Sequence, residues 1–275
     1  MKTWIGASVL LGLLVLLAIV VLFQRRFFYF PRKYTANEVK AAEDQGVAPL
    51  RFETPQGKQT AFLLRTPRSE RPPSRLWILF GGNAMTALDW LVILNGFQSD
   101  SIVFLLVDYP GYGLCNGLTT ADSISESAVT AYRALIGQAG WTEANPAIGV
   151  LGWSLGAAAA LQFAERQRVE DLVLISPFTS MQDMVRKVVG LPPGMLLLDR
   201  FDNIAALTQV CAGTSAPRVT IIHGYKDALI PVRMGERLAS LAPNLIDFHS
   251  IPGASHHSVF SEARKLIYSK LRRHD

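Results

Sequence analysis

Apolar runs recur along the chain and are separated by amphipathic stretches. The runs are 75-RLWILF-80, 101-SIVFLLVD-108, 147-AIGVLG-152, 169-VEDLVLIS-176, 217-PRVTIIHG-224 and 245-LIDFHSI-251. Several are continuous rather than alternating, the pattern of strands buried on both faces of a parallel sheet. Helical periodicity between them predicts helices near 86–95, 122–138, 155–168, 231–242 and 257–272. Such alternation predicts an α/β domain, a mostly parallel central sheet flanked by helices. Upstream, 50-LRFET-54 and 60-TAFLLR-65 flank the turn signal Pro55-Gln56-Gly57 and predict an antiparallel hairpin. One connection, 177–216, is too long for a simple crossover; with its 190-GLPPGMLLLDRF-201 it predicts either a small lid-like insertion over about 178–216 or a helix with an irregular excursion, its leucines lining an apolar entrance or packing on the sheet.

The longest apolar run lies at the N-terminus. Residues 4-WIGASVLLGLLVLLAIVVLF-23 carry no charge and no proline, and a helix of that length crosses the roughly 30 Å hydrocarbon layer. A cleaved signal peptide is the rival reading, but its apolar core would be shorter and followed by a small-residue cleavage site. The run therefore predicts an uncleaved single-pass anchor. Arg25, Arg26, Arg32 and Lys33 follow it, with 27-FFYF-30 placed as an interfacial aromatic belt. The positive-inside tendency leans toward a cytoplasmic C-terminal domain. The expected organisation is an anchor with basic flank at 1–33, a connector at 34–49 and the α/β domain at 50–275.

Composition changes this picture little. The chain has 275 residues, enough for a sizeable core, and its net charge of +5 gathers beside the anchor and in the tail 270-KLRRHD-275. That distribution suits a phospholipid-facing surface, and no nucleic-acid motif accompanies it, so no nucleic-acid partner is expected. The two cysteines, Cys115 and Cys211, form no metal-ligand spacing.

Ligands of open α/β sheets bind beyond the carboxyl ends of the strands, so the residues that follow each strand carry the chemistry. In order they supply Gly81-Gly82-Asn83, the loop from Asp108 to Gly113, Ser154, Ser176-Pro177, Asp227 and His256. Ser154 lies in Gly152-Trp153-Ser154-Leu155-Gly156, between a strand and an alanine-rich helix. Small residues two places either side of a serine allow the tight corner that presents a nucleophile. A serine hydroxyl needs a histidine base, and the histidine needs an acid to fix its tautomer. Asp227, after the strand 217–224, is the candidate acid. His256 is the candidate base and its neighbour His257 the alternative; His223 reads as structural. The backbone N–H groups of Leu155 and Asn83 are the candidate oxyanion donors.

This set resembles the α/β-hydrolase-fold serine hydrolases, specifically the membrane-anchored group with a serine-aminopeptidase-like domain that includes protein depalmitoylases. The similarity runs from about Arg51 to Leu271 and rests on Gly81-Gly82-Asn83-Ala84, the loop from Asp108 to Gly113, Gly152 to Gly156, Ser176-Pro177-Phe178-Thr179-Ser180, His223-Gly224-Tyr225-Lys226-Asp227 and Gly253-Ala254-Ser255-His256. The last phrase selects His256 over His257. Gly81 and Pro110 depart from the family pattern, which has histidine and arginine there, and Cys115 stands where serine is frequent. The resemblance implies an α/β-hydrolase fold. It also implies cleavage of acyl esters or thioesters, or of amides by the same triad, without metal or cofactor; a non-catalytic tethered module is the remaining alternative.

Overall fold

A computed structural model of the chain describes residues 12, 15, 18, 19, 21–65, 73–141, 146–190 and 196–273. The elements are, in chain order, α1 (Arg25–Phe28), α2 (Ala36–Asp44), β1 (Val47–Thr54), β2 (Gly57–Arg65), β3 (Arg75–Phe80), a 3-10 turn (Ala87–Asp89) running into α3 (Trp90–Ile93), and β4 (Ile102–Val107). Then follow α4 (Ala121–Ala139), β5 (Ala147–Trp153), α5 (Leu155–Arg166), β6 (Asp171–Ile175), α6 (Met181–Val189), α7 (Asn203–Ala212), β7 (Arg218–Gly224), α8 (Val232–Ala239), β8 (Ile246–Ile251), α9 (Val259–Glu262) and α10 (Arg264–Leu271).

The eight strands form one sheet in the order β1-β2-β4-β3-β5-β6-β7-β8. The hairpin β1–β2 is antiparallel and meets β4 antiparallel; every pairing beyond that is parallel. Residues of β3, β4 and β6 are buried throughout, which is why these strands, past the Arg75 and Asp171 that open β3 and β6, read as unbroken apolar runs. One apolar core packs α4, α5, α7 and α8 against one face, through Ile124, Ala128, Leu161, Leu207 and Leu238. The other packs the 3-10 turn, α3, α9 and α10 against the opposite face, through Leu88, Trp90, Val259 and Ile267.

The chain leaves β3 toward β4 on one side and leaves β5 toward β6 on the other. The loops after these two adjacent strands therefore diverge, and a crevice opens at their carboxyl ends. Phe80 and Gly152 are register partners there. At the opposite end, Arg75 and Arg218 both bond the buried Asp171 carboxylate, Arg218 with two bonds of 2.9 Å. That network ties β3, β6 and β7 together at the end remote from the crevice.

Several sequence expectations change shape. The stretch 34–49 contains α2, whose Thr35 and Glu38 form a reciprocal capping box, and the first residues of β1. The helix expected over 257–272 is two short helices meeting at Ala263. The long connection 177–216 contains α6 and α7, joined through residues partly outside the described ones; α7 packs into the core like an ordinary layer helix. The membrane-spanning helix expected over 4–23 falls mostly outside the described residues. Among the described residues no helix is long and apolar enough to cross a membrane.

Candidate active site

The corner between β5 and α5 is built by close backbone approach. A Cβ on Gly156 would lie 2.1 Å from the Phe80 carbonyl oxygen, and one on Gly152 would lie 2.0 Å from the Gly156 carbonyl oxygen. Neither position tolerates a side chain, which explains the two glycines flanking the serine. Ser154 has φ 57° and ψ −117°, a conformation that costs a non-glycine residue on the order of 1–3 kcal/mol. Neighbouring structure holds it there: its N–H donates to the Ile175 carbonyl at 2.9 Å and its carbonyl accepts from Ala157 N–H at 3.0 Å. Strain held at such a corner serves to turn the side chain toward the crevice at the head of the helix.

Asp227 follows β7 and is buried. Its Oδ1 accepts the N–H groups of Leu229 at 3.0 Å and Ile230 at 2.8 Å, which fixes the carboxylate plane. Its Oδ2 lies 2.7 Å from Nδ1 of His256. A carboxylate can only accept, so the proton resides on Nδ1 and Nε2 presents its lone pair, the tautomer a general base needs. Burial of the Asp227 carboxyl opposes ionisation, but the rings of His223 and His256 and the Ile230 N–H overcome it and hold the acid well below the usual carboxylate range. His223, fully buried, donates from Nε2 to the Ile230 carbonyl at 2.8 Å. It thus braces the loop that carries Asp227, in keeping with a structural role. His257 is exposed and contacts the edge of Trp153 at a centroid distance of 5.7 Å, away from the carboxylate.

The indole of Trp153 lies beside the His256 imidazole at a centroid distance of 5.0 Å, which keeps the base next to the elbow. The same indole needs Gly82, since a Cβ there would lie 2.6 Å from its ring. Trp153 was not singled out by the sequence reading; its only signal was its place beside the serine.

Asn83 is fixed by its own network. Its backbone carbonyl accepts the Tyr112 hydroxyl at 2.5 Å, and its Oδ1 accepts Phe30 N–H at 3.2 Å. Tyr112, fully buried, also accepts from Phe30 N–H at 3.1 Å. Tyr109 fixes the start of the same loop, two residues earlier, by donating to the Gly81 carbonyl at 2.6 Å. Among the described residues no acceptor pairs with the backbone N–H of Asn83 or of Leu155. The Asp108 loop thus supplies the struts of the glycine loop. Asp108 itself accepts Ala87 N–H at 2.8 Å, and burial pushes its carboxyl up to about 7. Among the described residues no cluster of three or more His, Cys, Asp or Glu side chains could hold a metal ion.

The carboxyl ends of the strands thus carry a serine at a strained corner, an imidazole oriented by a fixed carboxylate, and two backbone amides without a partner among the described residues. The fold has close parallels among solved structures. An esterase of Pyrococcus furiosus aligns with TM-score 0.64 at 15% identity, over 90% of this chain and 97% of that one. An alpha-beta hydrolase of Vibrio vulnificus aligns with TM-score 0.64 at 18% identity, over 87% of this chain and 88% of the other. In sequence, an uncharacterized protein of Mycobacterium tuberculosis is 31% identical over 241 residues, covering 85% of this chain and 80% of its own. Residues 77–213, which include the elbow and the glycine loop, match the family model described as "Alpha/beta hydrolase family". With the crevice at its switch point and a relative matched over most of both lengths, the chain belongs to the alpha/beta hydrolase family.

Proposed function

We propose that the protein is a serine hydrolase that cleaves carboxylic esters or thioesters of acyl substrates through an acyl-enzyme. Ser154 Oγ attacks the acyl carbon as His256 Nε2 takes its proton. The oxyanion that forms accepts from the N–H groups of Leu155 and Asn83. Collapse expels the alcohol or thiol, protonated by His256. Water, deprotonated by the same nitrogen, then attacks the acyl-enzyme and releases the carboxylic acid. Asp227 keeps the imidazole in the required tautomer and stabilises its cation. The observation that carries this reading is the 2.7 Å contact of His256 Nδ1 with a carboxylate fixed on its other oxygen by two backbone amides, in a chain whose Ser154 adopts φ 57°. The test is a matched panel of acyl ester, acyl thioester and aminoacyl amide substrates. Turnover of the ester or thioester, lost by about 10⁴-fold or more in His256→Ala, supports the reading. Turnover of the amide alone would make the protein a peptidase.

The same proposal includes a single-pass anchor over residues 4–23 with the catalytic domain on the cytoplasmic side. It is supported by the uncharged run, by Arg25, Arg26, Arg32 and Lys33 after it, and by the exposure of Leu22, Phe23, Phe27 and Phe30. Gln24 joins that region to the segment after α6, donating to the Leu196 carbonyl and accepting Leu198 N–H, each at 2.9 Å. Leu196 and Leu198 are themselves exposed apolar residues. An anchored chain stays in the membrane through an alkaline carbonate wash. Release by that wash, with a mature N-terminus near residue 24, would mark a cleaved signal instead.

A further inference from the structure

A cavity of about 440 Å³ lies between α6 and α8, within the size range of small-molecule sites. Its lining includes Arg186 and Lys187 from α6 and Arg233 and Arg237 from α8, against a single carboxylate, Asp183. Asp183 is already engaged: it accepts the Thr179 hydroxyl at 2.6 Å and lies 3.7 Å from Arg186. Lys187 Nζ donates to the carbonyls of Ala228 and Leu229 at 2.6 and 2.7 Å, which holds the ammonium at the cavity wall without neutralising it. Arg233 and Arg237 sit one turn apart on α8, where like charges repel. Among the described residues neither has an ion pair or a side-chain hydrogen bond.

Four cations converge on one concave space with one carboxylate, a net excess of three positive charges (four minus one). Among the described residues none of the four has a hydrogen bond or an ion pair with Ser154, Asp227 or His256. Guanidinium forks from a single helix face suit a tetrahedral oxyanion, which they bind in a bidentate manner, and a multivalent anion offsets the excess better than a carboxylate does. We propose that this cavity is a binding site for a phosphate group, presented either as free phosphate or as a lipid headgroup. It shares a wall with the loop that holds the catalytic acid, because Lys187 grips residues 228 and 229 and Asp227 accepts the N–H of residue 229.

The test is calorimetric titration of the full chain carrying Ser154→Ala, in neutral detergent at constant ionic strength. The serine substitution removes turnover, so the result does not depend on the hydrolytic reading. The titrants are inorganic phosphate, short-chain phosphatidic acid and short-chain diacylglycerol. Saturable binding of phosphate or phosphatidic acid supports the site when Arg233→Gln with Arg237→Gln weakens it about tenfold or more, the effect of losing one charge-assisted bond. A second pair, Arg186→Gln with Arg233→Gln, should weaken it equally, so a folding defect in one variant does not decide the matter. Phosphatidic acid binding at least tenfold tighter than phosphate, with no binding of diacylglycerol, identifies a lipid headgroup; equal affinities identify free phosphate. No saturable binding of either anion, or binding in both folded variant pairs as tight as in the Ser154→Ala parent, overturns the proposal.

Discussion

Gly156→Ala is the sharpest test of how the elbow is built. The new Cβ would lie 2.1 Å from the Phe80 oxygen, 2.6 Å from the Phe80 carbonyl carbon and 2.6 Å from the Gly81 oxygen. All three are backbone atoms, so no side-chain rotation relieves the clash. Restoring an ordinary contact of about 3.4 Å or more requires the end of β3 and the start of α5 to separate by about 1 Å. Overpacking of this kind costs about 1–3 kcal/mol, offset in part by up to about 1 kcal/mol of helix propensity. The movement also carries Gly81 to Asn83 away from Leu155 and pulls the two proposed oxyanion donors apart. A misplacement near 1 Å is worth about 10²-fold in rate, and loss of one donor about 10²–10³-fold. Gly156→Ala should therefore lower kcat on a short, water-soluble ester by about 10²–10³-fold and lower Tm by several degrees. Gly137→Ala is the matched control: nothing lies within 4 Å of its Cβ on α4, so it should keep full activity and gain up to about 1 kcal/mol. Thermal melts and initial rates on the three proteins decide it. If Gly156→Ala were folded with kcat within about threefold of the parent, the close-approach reasoning would be wrong.

Tyr112→Phe removes the hydroxyl that holds the Asn83 carbonyl, at a stability cost of about 1–2 kcal/mol. It should lower kcat about 10- to 100-fold with little change in KM, whereas a parallel loss of folded protein and rate would mean a scaffold role only. Asp108 is a pH probe, because burial raises its carboxyl to about 7 from an ordinary value of 3.8. Between those values the folded state keeps a proton that the unfolded state sheds, so folding weakens as pH rises and the full cost, up to about 4 kcal/mol, is present above pH 7. Asp108→Asn keeps an acceptor for Ala87 N–H without the charge; its stability relative to the parent should grow from pH 4 to 8, and a flat difference in denaturant titrations would refute this. Arg75→Met leaves the buried Asp171 with only the half-exposed Arg218 and the more distant Arg273. It should cost about 3 kcal/mol or more in denaturant melts while leaving KM unchanged, the Arg75 network being at the far end of the sheet.

The parallel strands were legible because burial on both faces leaves no polar alternation: β4 is apolar throughout and β3 is apolar after its first residue, Arg75, and their bounds fall within a residue or two of the runs. Ser154, Asp227 and His256 stood out because each follows a strand. The helix α2 was read as connector because only Ala42 of its residues is buried, although its capping box was there to see. α7 was hidden inside a connection whose leucines suggested a lid. The brace on the glycine loop could not be read at all, since Phe30 and Asn83 lie 53 residues apart and meet through a main-chain amide that no side-chain pattern encodes. The same holds for Trp153, whose value to the site depends on an open space at Gly82.

Whether Ser154 is the nucleophile is decided most directly by covalent labelling. The full chain in neutral detergent is treated with a fluorophosphonate probe, and the adduct is mapped by peptide mass spectrometry. The expected result is a single adduct on the peptide carrying Ser154, absent in Ser154→Ala and strongly slowed in His256→Ala, with both variants folded. Undiminished labelling of Ser154→Ala, with the adduct on another residue, would contradict the proposed mechanism.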